Sequence, residues 1–170
     1  MVRPILKYGA RKLKEISLPV EAFDAELERL GEDLLETMAA ERGVGLAAPQ
    51  IGVSRRLIVC HVTAAGEKGQ SFSLVNPEIV EQEGKQKAEE GCLSIPGFTA
   101  VVERSTRVKV RALSLQGDAI QIEAEDLLAR VLCHEIDHLD GILYLDRIPR
   151  LRRDLIKRKI RKLVRAGEWG

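Results

Sequence analysis

The segment His134-Glu135-Ile136-Asp137-His138 constrains this chain more than any other. Side chains four apart on an α-helix lie one above the other, so both imidazoles can reach one metal ion. Glu135 is turned about 60° from His138, near enough to reach a water at that ion. The flanking sequence supplies the helix: Leu127, Leu128, Val131 and Leu132 recur at helical spacing, which predicts a helix over residues 124–139 stopped by Gly141. The alternative is a surface helix that carries two solvated histidines.

A catalytic site of this type takes three protein ligands and leaves a position for water. The extended pattern His-Glu-x-x-His-x-x-Gly-x-x-His is followed as far as Gly141, but Tyr144 stands at its last position. A Glu about twenty residues downstream is missing too, because residues 157–161 are basic and no Glu comes before Glu168. The third ligand is therefore sought upstream. Glu90-Gly91-Cys92-Leu93-Ser94 offers Cys92, a deprotonatable thiol beside a flexible glycine. Cys60 lies within an apolar strand and reads as a core residue. Cys133 adjoins His134, but helix neighbours point about 100° apart, which aims it poorly at the same ion. His61 reads as a strand residue without a ligand role.

Gly43-Val44-Gly45-Leu46-Ala47-Ala48-Pro49-Gln50 matches the letters of a dinucleotide fingerprint. Its context does not fit, since it follows a helix and carries Pro49 where a helix would begin. It reads instead as a loop that lets a peptide backbone come close, ending in the Gln50 amide, a donor for an oxyanion.

The remaining pattern points to α+β. Residues 21–41 carry Phe23, Leu27, Leu30, Leu34, Leu35 and Met38 at helical spacing, with Gly43 beyond them. Residues 57–62 read as a buried strand, 64–70 as a turn, 72–80 as extended, and 101–115 as one half-buried strand. Gln116-Gly117-Asp118 turns that strand into another at residues 120–122. A last helix covers residues 151–165, with Leu151, Leu155, Ile156, Ile160, Leu163 and Val164 on its packed side and Gly167 after it. Strands grouped between helices predict antiparallel strands around a central metal-binding helix, plus a C-terminal helix.

A chain of 170 residues with no linker or repeat suits one domain, residues 1–170. Aromatics make up only 4%, so the core must come from Leu, Ile, Val and Ala, and a module that stacks bases on exposed rings is disfavoured. No signal-peptide core and no run of eighteen apolar residues is present, which reads as an intracellular, cytoplasmic protein with no membrane span. Three cysteines in such a chain read as free thiols. Residues 147–170 hold ten Lys or Arg against Asp154 and Glu168, so a chain of net charge +1 gathers its cations at one end, where phosphate is the usual attraction.

Residues 43–50, 90–94 and 134–138, in this order and separation and with Ile5-Leu6-Lys7-Tyr8 near the start, resemble the signature motifs of the peptide deformylases. The resemblance implies removal of the formyl group from the N-terminal formylmethionine of new polypeptides, with release of formate. It implies Fe2+ as cofactor, with Zn2+, Ni2+ or Co2+ as substitutes, held by Cys92, His134 and His138. Glu135 would be the acid/base residue, with Gln50 and the Leu93 N–H facing the formyl oxygen. Gly45 and Gly91 would lie against substrate backbone, and Val44 near the methionine side chain. Glu90 and Arg104 would buttress the Cys92 loop, and the basic helix would dock on the ribosome. Cys133 departs from the family pattern, which usually has Gln there. A metalloprotease cutting internal bonds, or a non-catalytic module bound to the ribosome or RNA, are the rival readings.

Overall fold

The run Leu57-Ile58-Val59-Cys60 is apolar on both of its faces, so a strand made from it has to be covered on both. The computed structural model describes residues 1–63 and 68–170. The turn expected at residues 64–70 thus falls partly outside the described residues. The apolar run lies in β2 (Leu57–Val62). With β1 (Gly45–Ala47), β3 (Gln70–Glu83), β6 (Arg107–Leu113) and β7 (Ala119–Glu125) it forms a five-stranded antiparallel sheet in the order β1-β2-β3-β6-β7.

Two helices cover the two faces. Leu57 and Val59 pack with Leu27, Leu30, Leu34 and Met38 of α1 (Ala25–Ala40), while Ile58 and Cys60 pack with Ala129, Leu132, Cys133 and Ile136 of α2 (Asp126–Leu139). The alternation follows from the two-residue period of a strand. α2 is therefore central, as the sequence predicts. α1 begins later than residue 21, because the Asp24 carboxylate accepts the Leu27 N–H at 3.0 Å and caps the helix there. Phe23 consequently lies before the helix and packs over Gly117.

β4 (Gln86–Cys92) and β5 (Ile95–Arg104) form a separate two-stranded sheet. The single strand expected over residues 101–115 is thus two strands, broken at Ser105 and Thr106, in different sheets. The inward positions Ala100, Val102, Arg104, Val108, Val110 and Ala112 keep one even-numbered phase through the break, so periodicity carries no sign of it. The expected loop that begins at Gly43 likewise contains β1 and leads into a 3-10 turn, Ala48–Ile51.

α3 (Arg150–Arg165) rests on the hairpin β4-β5. Ile156 and Ile160 are buried with Leu143, Tyr144, Leu145 and Ile148 and with Ile95, Ala100 and Val102. The wider packed stripe expected from sequence is corrected: Leu151 is 82% exposed, Leu155 46% and Val164 56%. Ile156 and Ile160 form the one fully buried row of the helix, and Arg152 beside it donates to Thr99 O at 3.3 Å; Leu151 and Leu155 form another row about 100° around.

Gly141 ends α2 with φ +73°, and a Cβ there would stand 2.5 Å from the carbonyl oxygen of Lys14. Gly141→Ala should therefore destabilise the protein by about 2 kcal/mol or more in a urea titration, through both strain and clash.

Candidate metal centre

A helix face that buries charged groups must pair them. α2 turns Arg130, His134, Glu135, Asp137 and His138 away from water, all of them buried. β4 ends in Cys92, and its turn into β5 brings Cys92 opposite α2. Cys92 Sγ lies 3.4 Å from His138 Nε2, and one donor atom from each of Cys92, His134 and His138 lies within 4.8 Å of the others. Donors around one tetrahedral ion stand roughly 3.5 Å apart, so one ion fits this set.

The surroundings favour a cation there. Burial alone would lower the His134 pKa, but the Glu135 charge and the hydrogen bonds of Cys92 and Glu90 outweigh it and raise it well above the ordinary value. These neighbours thus favour a positive charge beside His134. Burial, with the His134 and Arg104 charges, keeps His138 well below its ordinary pKa, hence neutral, the form that ligates. His134 Nδ1 is held by Glu90 Oε1 at 2.9 Å, leaving Nε2 for an ion.

Glu90 is the hub behind the ligands. Arg104 donates to both of its oxygens at 2.9 Å, and Arg130 donates to Oε2. Burial would raise the Glu90 pKa, yet the His134 and Arg104 hydrogen bonds hold it at about 2. Arg104 also donates to Asp137 at 2.6 Å, and Arg147 donates to both Asp137 oxygens at 2.6 and 2.8 Å. Glu90 and Arg104 are therefore paired beside the Cys92 turn, as the sequence suggests.

Glu135 has the opposite environment. Burial pushes its pKa up to about 7, and its Oε1 is buried with no hydrogen-bond partner among the described residues. A carboxylate oxygen free of partners and poised near neutrality suits proton transfer. A Cβ on Gly45 would meet Glu135 Oε2 at 2.5 Å, so glycine at 45 makes room for this carboxylate.

Gln50 is fixed by its neighbours: its Oε1 accepts the Ala47 N–H at 3.0 Å, which aims Nε2 at Ser94 Oγ (3.1 Å) and Cys92 Sγ (3.7 Å). Gln50 and Cys92 line a cleft of about 410 Å³, with Val44 and Gly45 on one wall, Gly91, Leu93 and Phe98 on the other, and α2 along it. Val44 is half exposed at the mouth, and a Cβ on Gly91 would meet only ordinary contacts. All nine residues singled out by the motifs thus border one cleft or the metal centre. Cys60 is buried in the core, where burial raises its thiol pKa. Cys133 lines a different cleft with Arg104, Asp137 and Arg147, and His61 bonds Ser71. None of the three joins the centre.

Sequence reasoning passed over Arg130, a partner of Glu90, Asp137 and Arg147, which extend the network through Arg104, and Tyr144, whose ring stacks on His134 at 6.3 Å. Arg130 and Asp137 share the helix face of His134 at spacings of four and three, the one signal that marks them. Arg147 and Tyr144 lie beyond α2 and carry no such signal.

The polypeptide deformylase family model matches residues 2–154. A peptide deformylase from Acidobacterium capsulatum is 47% identical, with 99% of each chain covered. The crystal structure of a peptide deformylase from Legionella pneumophila is 45% identical and superposes with a TM-score of 0.89 over 98% of each chain. That from Thermus thermophilus is 43% identical, with a TM-score of 0.87 over 96% of each chain. A motif set that closes around one centre, in a fold shared along nearly the full length at such identity, makes this chain a member of the polypeptide deformylase family.

Proposed function

We propose that this protein hydrolyses the formyl amide at the N-terminal formylmethionine of newly made polypeptides, releasing formate and a free amine. The observation that carries the reading is the meeting of Cys92, His134 and His138 with a buried, unpartnered Glu135 in one cleft. Cys92, His134 and His138 would hold a divalent cation, which when bound would supply Lewis acidity. One thiolate and two imidazoles accept several metals. We take Fe2+ as the native one, with Zn2+, Ni2+ or Co2+ as substitutes.

Glu135 takes a proton from the attacking water as its oxygen bonds to the formyl carbon. The formyl oxygen gains charge, and Gln50 Nε2 and the Leu93 N–H donate to it. The carbon–nitrogen bond then breaks, and Glu135 returns its proton to the departing amine. Substrate backbone runs along β1, the sheet's edge strand, and past Gly91. Gly45 faces Cys60 while His61 N–H bonds Val44 O at 2.9 Å, so Gly45 is a non-hydrogen-bonded position whose own N–H and C=O point to the open edge. Val44 meets the methionine side chain.

The whole chain acts as one catalytic domain, since α3 completes the core of the hairpin that carries Cys92. No helix among the described residues is long and apolar enough to cross a membrane. With three free cysteines, we place the protein in the cytoplasm. The exposed row of Leu151 and Leu155 continues through Arg158, Lys162 and Arg165, an apolar and cationic stripe suited to the ribosome.

Protein prepared anaerobically with iron(II) should release formate from a formyl-Met peptide. Glu135→Gln should keep its iron by metal analysis yet turn over about 100-fold or more slowly, and equal rates would refute the reading. Glu90→Gln should bind metal roughly 10- to 100-fold more weakly in a chelator competition. Because the folded Glu90 pKa of about 2 lies below the ordinary 4.5, its ionised form stabilises the fold above about pH 4.5, and that stabilisation is lost as pH falls toward 2. The denaturation gap between parent and Glu90→Gln should narrow over that window. Replacing Arg158 and Lys162 with Glu, which leaves Ile156 and Ile160 in place, should abolish cosedimentation with ribosomes and spare formate release.

A further inference from the structure

Trp169, the one tryptophan of the chain, lies beyond the residues matched by the family model and beyond the catalytic motifs. After α3, Gly167 adopts φ +71° and the Glu168 N–H donates to Leu163 O at 2.9 Å, which reverses the chain and brings Trp169 back onto the body. Two contacts then place it against the cleft. Its ring meets the Phe98 ring at 6.2 Å between centroids and 59°, the tilted arrangement aromatic pairs favour, and Phe98 lines the cleft. Its Nε1–H donates to Tyr8 O at 2.9 Å.

Both contacts lead to groups already placed in the reaction. Tyr8 N–H bonds Ser94 O at 2.8 Å and Leu6 N–H bonds Gln50 O at 2.7 Å, so residues 6–8 tie the Gln50 turn to the turn after Cys92. Phe98 follows Gly97, whose φ of +85° sets a bend in β5, and its carbonyl accepts the Tyr144 hydroxyl at 3.2 Å. Trp169 thus touches the cleft wall and the strap that spans the two turns.

We propose that Trp169 is a positioning residue for substrate: by seating Phe98 and Tyr8 it sets the width of the cleft at the wall that receives apolar side chains of the peptide beyond formylmethionine. This rests on the cleft being the deformylase substrate site.

The test compares parent, Trp169→Ala and Trp169→Phe, each loaded with iron(II), on formyl-Met-Leu and formyl-Met-Ser peptides. Trp169→Ala should raise KM for the leucine peptide about fivefold, the size of one lost aromatic pair, with kcat within about twofold and a smaller change for the serine peptide. Trp169→Phe keeps the ring contact and should restore most of that KM. In iron-loaded Glu135→Gln, whose slow turnover leaves the peptide bound during the titration, formyl-Met-Leu should shift the emission of Trp169 saturably. Unchanged KM values in Trp169→Ala, an equal loss on both peptides, or no emission shift would overturn the proposal. A parent that released no formate would instead strike at the deformylase reading. Should Trp169→Ala not fold, the emission titration and Trp169→Phe, with formyl-Met-Leu KM near that of the parent, decide the matter.

Discussion

A carboxylate buried to 6% exposure must be either protonated or paired, and Glu90 is paired with Arg104, Arg130 and His134 together. Much else follows from that one group. It sits two residues before Cys92 on the hairpin, so holding its carboxylate holds the turn that carries the thiol. It accepts the hydrogen bond of His134 Nδ1–H, which orients the ring and leaves the other nitrogen free. Through Arg104 it reaches Asp137, and through Asp137 it reaches Arg147 beyond the end of α2. Arg130 adds three carbonyls of the hairpin to the same network, those of Gln86, Ala88 and Val102. Removing any partner would leave an uncompensated charge in the interior, which ties the site's electrostatics to the integrity of the fold.

Against this fully satisfied hub, Glu135 stands out as the unsatisfied neighbour. One carboxylate is held ionised far into acid and the other is lifted toward neutrality, although they share one helix–hairpin interface. Environments that push paired groups apart in this way separate a structural role from a proton-moving one. Gly45 completes the separation, because the space its missing side chain leaves is taken by the Glu135 carboxylate.

How much of this was legible beforehand depended on whether the determinant was local. The candidate ligands were legible because His134 and His138 obey helix geometry and Cys92 lies in a short, distinctive segment. β2 declared itself through its unbroken apolar run. β4 did not, since Gln86-Lys87-Ala88-Glu89-Glu90 is polar and is buried only at Glu90, a burial that makes sense once Arg104 and Arg130 are opposite it. The break between β5 and β6 was invisible because the inward phase runs straight through it. The packed face of α3 was misjudged for a related reason: Leu155 and Ile156 are equally apolar, and the body beneath the helix decides which is covered. Arg130 and Arg147 looked like any surface cation until the fold brought their carboxylates to them.

Two of the three candidate ligands ride on a helix clamped to the five-stranded sheet, and the third rides on a sheet of two strands that shares no ladder with it. Backbone hydrogen bonds make each piece stiff, but side chains, a short strap and a patch of apolar packing set the distance between them. The cleft therefore lies on the seam between two separately hydrogen-bonded pieces, and the buried contacts of Glu90, Arg104 and Arg130 cross that seam, so the charges that hold the Cys92 turn also fix the width of the opening through which a peptide enters and leaves.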